Sequence, residues 1–127
     1  MKMICLFTIT ILLILSCAGI LKTDSIKDFI PGTYISSWKT EFNESIDTLL
    51  IELLVEHGSE TYSITRRTHV TYFNDDLKRE PAYKIIHWTG NYDPGPKTIF
   101  INNNGRMLSF DPVNKLLKMG TTTYRKL

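Results

Sequence analysis

The chain has 127 residues, with 15 Lys and Arg against 13 Asp and Glu, a formal net charge of +2 and 43% hydrophobic residues. That length is one domain, small but able to bury a core without staples. The basic residues are scattered, gathered only in short pairs such as Arg66-Arg67 and Arg125-Lys126, so no basic stripe exists for nucleic acid.

A single Lys2 precedes an apolar run over 4–15. A helix needs roughly 20 apolar residues to cross a bilayer, so this run reads as the core of an export signal. It ends in Ile14-Leu15-Ser16-Cys17: an aliphatic residue three before the cysteine and a small residue directly before it, the pattern of a bacterial lipoprotein. Residues 1–16 are expected to be a signal peptide, and the Cys17 thiol to carry lipid. Each buried methylene is worth about 0.8 kcal/mol, so two or three acyl chains hold a protein on a membrane without any amphipathic helix. Cys5 leaves with the signal, so no cysteine pair remains and the fold cannot depend on a disulfide.

Residues 17–30 are short, mixed and without strong periodicity, and are expected to form the lipidated tether of a domain over 31–127. Ala18 follows the cysteine where an aspartate would retain a proteobacterial lipoprotein at the inner membrane. The expected location is the bacterial cell envelope, lipid-anchored in the outer membrane and facing the periplasm.

From Pro31 onward, aromatic and β-branched runs alternate with turn residues about every ten positions, the pattern of a small all-β sheet or barrel. Eight runs are predicted, at 33–39, 48–56, 60–72, 83–91, 97–102, 106–110, 115–119 and 122–126. The fold class is all-β: a single antiparallel meander or an eight-stranded lipocalin-like barrel. Asn104-Gly105 predicts a type I′ hairpin, Gly58 and Gly120 tight reversals, and Asp93-Pro94-Gly95-Pro96 a break in pairing. Ile46, Leu49, Leu50, Leu53 and Leu54 also fit helical spacing, with Asp47 as cap. Alternation favours a strand with Leu49, Ile51, Leu53 and Val55 on one face, leaving Leu50 and Leu54 as misfits.

In the third run Tyr62, Ile64, Arg66, Thr68, Val70 and Tyr72 share a face, and the apolar members turn Arg66 inward. A guanidinium there keeps its charge, so it either pairs with an internal acid such as Asp111 or Glu80 or binds an anion in a cavity. Pairing is the simpler expectation. Trp88 is either a core plug or a ring at a pocket mouth, and Gly90 marks a bulge or close backbone approach. Tyr34 and Trp38 share a face with Ser36, as a partly buried edge or as an aromatic contact surface. Arg66, Trp88, Tyr34 and Trp38 are therefore the candidate ligand or partner contacts. No nucleophile motif, phosphate loop or metal-ligand spacing occurs, and His57, His69 and His87 lie on separate segments, so no enzyme activity, metal or cofactor is expected. Asp75-Asp76 reads as a solvated hairpin loop.

Pro31-Gly32-Thr33-Tyr34, Asp47-Thr48-Leu49, Tyr62-Ser63-Ile64-Thr65-Arg66, Trp88 with Tyr92-Asp93, Phe110-Asp111-Pro112, Gly120 and the ending Tyr124-Arg125-Lys126-Leu127 resemble a group of small lipoproteins of Bacteroidota, some of them similar to cargo of conjugative elements. The likeness covers nearly all of the mature chain and implies no catalytic residues. It implies one modification, O-glycosylation at Asp, then Ser or Thr, then an aliphatic residue. Asp24-Ser25-Ile26 and Asp47-Thr48-Leu49 fit, and Ser25, in a tether able to enter a transferase, is the expected acceptor. The Gly-x-aromatic opening of the first run is also similar to lipocalin-type sheets.

Two functions follow as expectations. One is a membrane-anchored structural or protein-interaction module with an envelope protein partner. The other is a lipocalin-like carrier of a small apolar or anionic ligand, with Arg66 and Trp88 in its cavity. A barrel filled by its own side chains favours the first; a pocket with Arg66 at its base favours the second.

Overall fold

The computed structural model describes residues 24–54, 60–73 and 76–127. The signal segment, Cys17, the first part of the tether, Val55, His57, Gly58 and Asp75 lie outside the described residues. One short helix, α1 (Ser25–Phe29), precedes eight strands. These are β1 (Gly32–Lys39), β2 (Asn43–Leu53), β3 (Thr61–Tyr72), β4 (Ala82–Asp93), β5 (Thr98–Ile101), β6 (Met107–Asp111), β7 (Leu116–Met119) and β8 (Thr122–Lys126). They pair in sequence order, all antiparallel, into a closed barrel. Every expected run forms a strand. β2 starts earlier than expected, because polar Asn43, Glu44 and Ser45 carry no apolar signal yet pair with Tyr72, Thr71 and Val70 of β3, and Glu44 and Ser45 also with Lys39 and Trp38 of β1.

Strand length gives the barrel two storeys. β2, β3 and β4 have 11, 12 and 12 residues, whereas β5 to β8 have 4, 5, 4 and 5. The seams are correspondingly short: β1 pairs with β8 at Tyr34 and Ile35, extended by Leu127 N donating to Thr33 O, and β4 pairs with β5 over Gly90 to Asp93, extended by Asn102 N donating to Thr89 O. The lower storey is a closed ring of eight strands. The upper storey is a curved four-stranded sheet, β1 to β4, standing above a low wall formed by the β5–β6 and β7–β8 turns.

The lower storey is packed with its own side chains. Tyr34, Leu49, Ile51, Tyr62, Ile64, Tyr92, Ile99, Leu108, Leu117 and Tyr124 are all buried and belong to one cluster. Each such large side chain contributes roughly 1.5–3 kcal/mol by leaving water. Gly90 lets strands approach closely: a Cβ there would stand 2.6 Å from Ile99 Cγ2 and 2.9 Å from the Phe100 carbonyl oxygen. The close approach expected there is present, with β4 paired through Gly90 on both sides.

Residues 24–30, expected to be tether, are part of the packed domain. Asp24 caps α1 by accepting from Ile26 N (2.9 Å) and Lys27 N (3.4 Å), and Ile30 is fully buried. The Phe29 ring meets Tyr34 and Phe110 edge-on at 5.9 and 6.4 Å, and the Tyr34 hydroxyl donates to the Phe29 and Ile30 carbonyls. The Tyr92 hydroxyl donates to Asp24 at 2.8 Å. The helix thus plugs the lower end of the barrel. Helical periodicity cannot show in a five-residue segment, which is why the sequence reads as tether there.

Two further details differ from expectation. Leu53 is exposed, because the inward face of β2 is Ser45, Asp47, Leu49 and Ile51 and the strand leaves the core after Ile51. The positive φ angles in the β5–β6 turn fall on Asn103 (75°) and Gly105 (67°), not on Asn104-Gly105; the loop is longer than a two-residue hairpin, and the Asn104 side chain accepts from Arg106 N. Gly120, at φ 60°, does make the tight β7–β8 reversal.

Candidate functional site at the barrel mouth

The boundary between the two storeys is marked by a buried ion pair. Alternation in β2 turns Asp47 inward, and the register sets it beside Arg66 and Thr68 of β3. Arg66 donates from Nε to both Asp47 oxygens at 3.0 Å and from NH2 at 2.7 Å; the Thr68 hydroxyl adds 3.1 Å and the Tyr124 hydroxyl 2.6 Å. Asp47 is fully buried, and a buried carboxylate is tolerated only when its lone pairs are met in this way. The hydrogen bonds to Asp47 raise the Arg66 pKa. Burial, and then the bond to Asp47, pushes the Tyr124 phenol well above its ordinary range, so it remains a donor.

Arg66 therefore does turn inward and pair with an acid, but its partner is Asp47. Asp111 instead accepts from Asn114 in the β6–β7 turn, and Glu80 is exposed. The sequence did carry a signal for the pair: Asp47, Leu49 and Ile51 alternate on one face as Arg66 does with Ile64. Read as a cap or a glycosylation site, Asp47 lost its place on that face.

Trp88 sits one step below this pair, half-buried against the core. The Arg66 guanidinium lies 5.9 Å from its ring centroid and that of Arg106, from the β5–β6 loop, 5.3 Å. Beside the Arg66 guanidinium a recess of about 650 Å³ opens against the low wall, and Trp88 is not part of its lining. Its lining includes Arg66, Arg106, Lys118, Ser109, Thr121 and Thr122, and no carboxylate. A second recess of about 320 Å³ follows the concave face of β3 and β4, past Arg66, Thr68, Val70, Lys84 and Ile86. The mouth is thus cationic, with an apolar floor.

The four expected contact residues separate. Arg66 and Trp88 come together at the mouth. Trp38 lies on the upper part of β1, 43% exposed, opposite Ser45. Tyr34 is not a contact residue: it is fully buried and its hydroxyl is used by the α1 plug. Two turns of alternation separate it from Trp38, and that distance along the barrel axis decides core against rim. Ser25 is exposed but opens α1 instead of lying in a free tether. Lys84 and Arg106 were missed. Lys84 follows the inward parity of Ile86 and Trp88, and Arg106, expected to open the sixth run, lies just before β6 with the parity of buried Leu108, so alternation could have found both.

Among the described residues no group of His, Cys, Asp and Glu is arranged to hold a metal ion, and no helix is long and apolar enough to cross a membrane. Fold and site together define a small up-and-down β-barrel, plugged by a helix at one end and open over a cationic mouth at the other. The chain matches no protein-family model, no curated protein and no solved structure.

Proposed function

We propose that this chain is a lipid-anchored binding module of the bacterial envelope, held on the outer membrane through acylated Cys17 and facing the periplasm, that acts by contact with a protein partner and not by catalysis. The observation that supports it is the polarity of the barrel. The plug begins at Asp24, and the seven residues back to Cys17 span at most about 25 Å even when fully extended, so the plugged end stays near the membrane. The mouth is at the opposite end, where the strands are long and the rim carries Trp38, Lys84 and Arg106.

The test places photo-reactive residues at Trp38 and Lys84 on the rim, and at Lys97 and Asn114 near the plug, in cells. Discrete cross-linked proteins are expected from the rim positions; products from the plug end alone would overturn the reading. Cys17→Ala is expected to leave the membrane fraction, and retention there would remove the anchor.

A second reading, a carrier of a small anionic ligand, is favoured by one observation, the 650 Å³ recess with Arg66 in its lining and no carboxylate. Native mass spectrometry of the full chain purified from envelopes tests it: a retained small anion, lost in Arg106→Gln, is the outcome that supports the carrier.

A further inference from the structure

The closed ring hides an open edge. β4 pairs with β3 all the way from Ala82 to Asn91, but β5 covers its other side only from Gly90 to Asp93. The direction of each backbone group follows from alternation. Tyr92 N donates to Glu60 O on the β3 side, and Thr89 O accepts from Asn102 N on the β5 side. The N–H and C=O groups of Tyr83, Ile85 and His87 therefore all point away from β3, along the stretch where no strand lies. Nothing in the described residues hydrogen-bonds to them. The upper β1 edge is a shorter equivalent: Thr33 O accepts from Leu127 N, so Ser37 and Lys39 face outward beyond the end of the β8 pairing.

An unpaired edge of this kind is a template for another strand, and proteins usually blunt it with proline, a bulge or a cover. Here Pro81 precedes the strand, and Ala82–Asp93 contains no proline and pairs with β3 in unbroken register. What the edge does carry is charge. Side chains of a strand added beside β4 would alternate between two surroundings. On the inner side lie Lys84, Arg66 and Arg106 around the mouth, with no carboxylate in either recess lining. On the outer side lie Tyr83 and Ile85, 61% and 46% exposed, with His87. A second copy of the chain is a poor occupant, since pairing two β4 edges would bring two cationic mouths together.

Building on the interaction reading above, we propose that the β4 edge at Tyr83, Ile85 and His87 binds an extended protein segment by strand addition, a segment with acidic residues at alternate positions facing the mouth and apolar residues between them. The backbone groups supply affinity and the two alternating faces supply selectivity. The recesses lined by Arg66, Arg106 and Lys84 receive the acidic side chains.

The test uses the full chain in mild detergent and two synthetic heptapeptides, one alternating Glu with Val and the other Lys with Val. The Glu/Val peptide is expected to bind and to slow amide exchange at Tyr83, Ile85 and His87 by about tenfold or more, as new backbone hydrogen bonds do. Ile85→Pro removes an N–H that faces the open edge and none of the β3–β4 ladder, so it is expected to weaken binding at least about tenfold. Ser37→Pro makes the matched change on the β1 edge and is expected to leave binding intact. Lys84→Glu, which leaves the backbone untouched, is expected to exchange preference from the Glu/Val to the Lys/Val peptide and keeps the test decisive if Ile85→Pro does not fold. No binding of the Glu/Val peptide, equal binding of both peptides, loss with Ser37→Pro but not Ile85→Pro, or protection elsewhere on the chain each overturns the proposal. If rim cross-linkers still capture a partner while the Glu/Val peptide fails, strand addition falls and the interaction reading stands.

Discussion

Asp47 shows how one side chain ties three strands: it sits on β2 and takes bonds from Arg66 and Thr68 on β3 and from Tyr124 on β8. Removing one partner of a buried pair strands the other, so Asp47→Ala is expected to lower stability by about 3–5 kcal/mol in urea unfolding. Replacing both with apolar residues of similar volume, Asp47→Leu with Arg66→Met, is expected to recover most of that loss, because the uncompensated charge disappears with its partner. Gly90 is the second sensitive position. Its added methyl would meet a carbonyl oxygen of β5 that cannot step aside, so Gly90→Ala is expected to cost about 1–3 kcal/mol by the same measurement.

At the level of elements, α1 is too short to be stable alone and is held by what it touches. Asp24 joins it to the barrel, since the Tyr92 hydroxyl and, less strongly, the Ile26 and Lys27 amides hold its carboxyl below the usual aspartate range. A carboxylate whose folded pKa is depressed adds stability above its unfolded pKa and loses it as the pH falls through the folded value. Acidification below the ordinary aspartate range is therefore expected to release the plug before the ring, seen as faster amide exchange at Ile26 and Lys27 and a fluorescence change from the ring residues it covers. Tyr92→Phe is expected to make that release less steep with pH. The strands themselves were legible in the sequence because alternation, β-branched content and turn residues agreed over nearly every run. The plug was not, because its stability comes from Tyr34, Phe110 and Tyr92, residues far along the chain that no local pattern connects to 24–30.

For the whole molecule, four tyrosines, Tyr34, Tyr62, Tyr92 and Tyr124, fill the closed storey, and burial is the largest cause that raises each phenol pKa. Groups raised in the folded state stabilise it fully below their unfolded pKa and cease to do so as the pH rises through the folded value. The ring is thus expected to unfold cooperatively in alkali above about pH 10, with these four phenols ionising together with the loss of the β circular-dichroism signal and not before it. Separate, gradual ionisation of four phenols with the barrel intact would contradict the packed lower storey.

The sequence by itself determined the all-β class, the number of strands and the inward faces of β2 and β3, because those follow from a period of two and from turn chemistry, both local. It also placed Arg66 and Trp88 on the inward face. Only the tertiary structure decided where along the barrel axis each inward residue stands. That position makes Tyr34 core and Trp38 rim, gives Arg66 its partner in Asp47, and leaves Tyr83 to His87, paired with β3 on one side, with no strand of the described residues on the other. Axial position depends on register and on the unequal lengths of strands that meet only after folding, and no stretch of the chain carries that information alone.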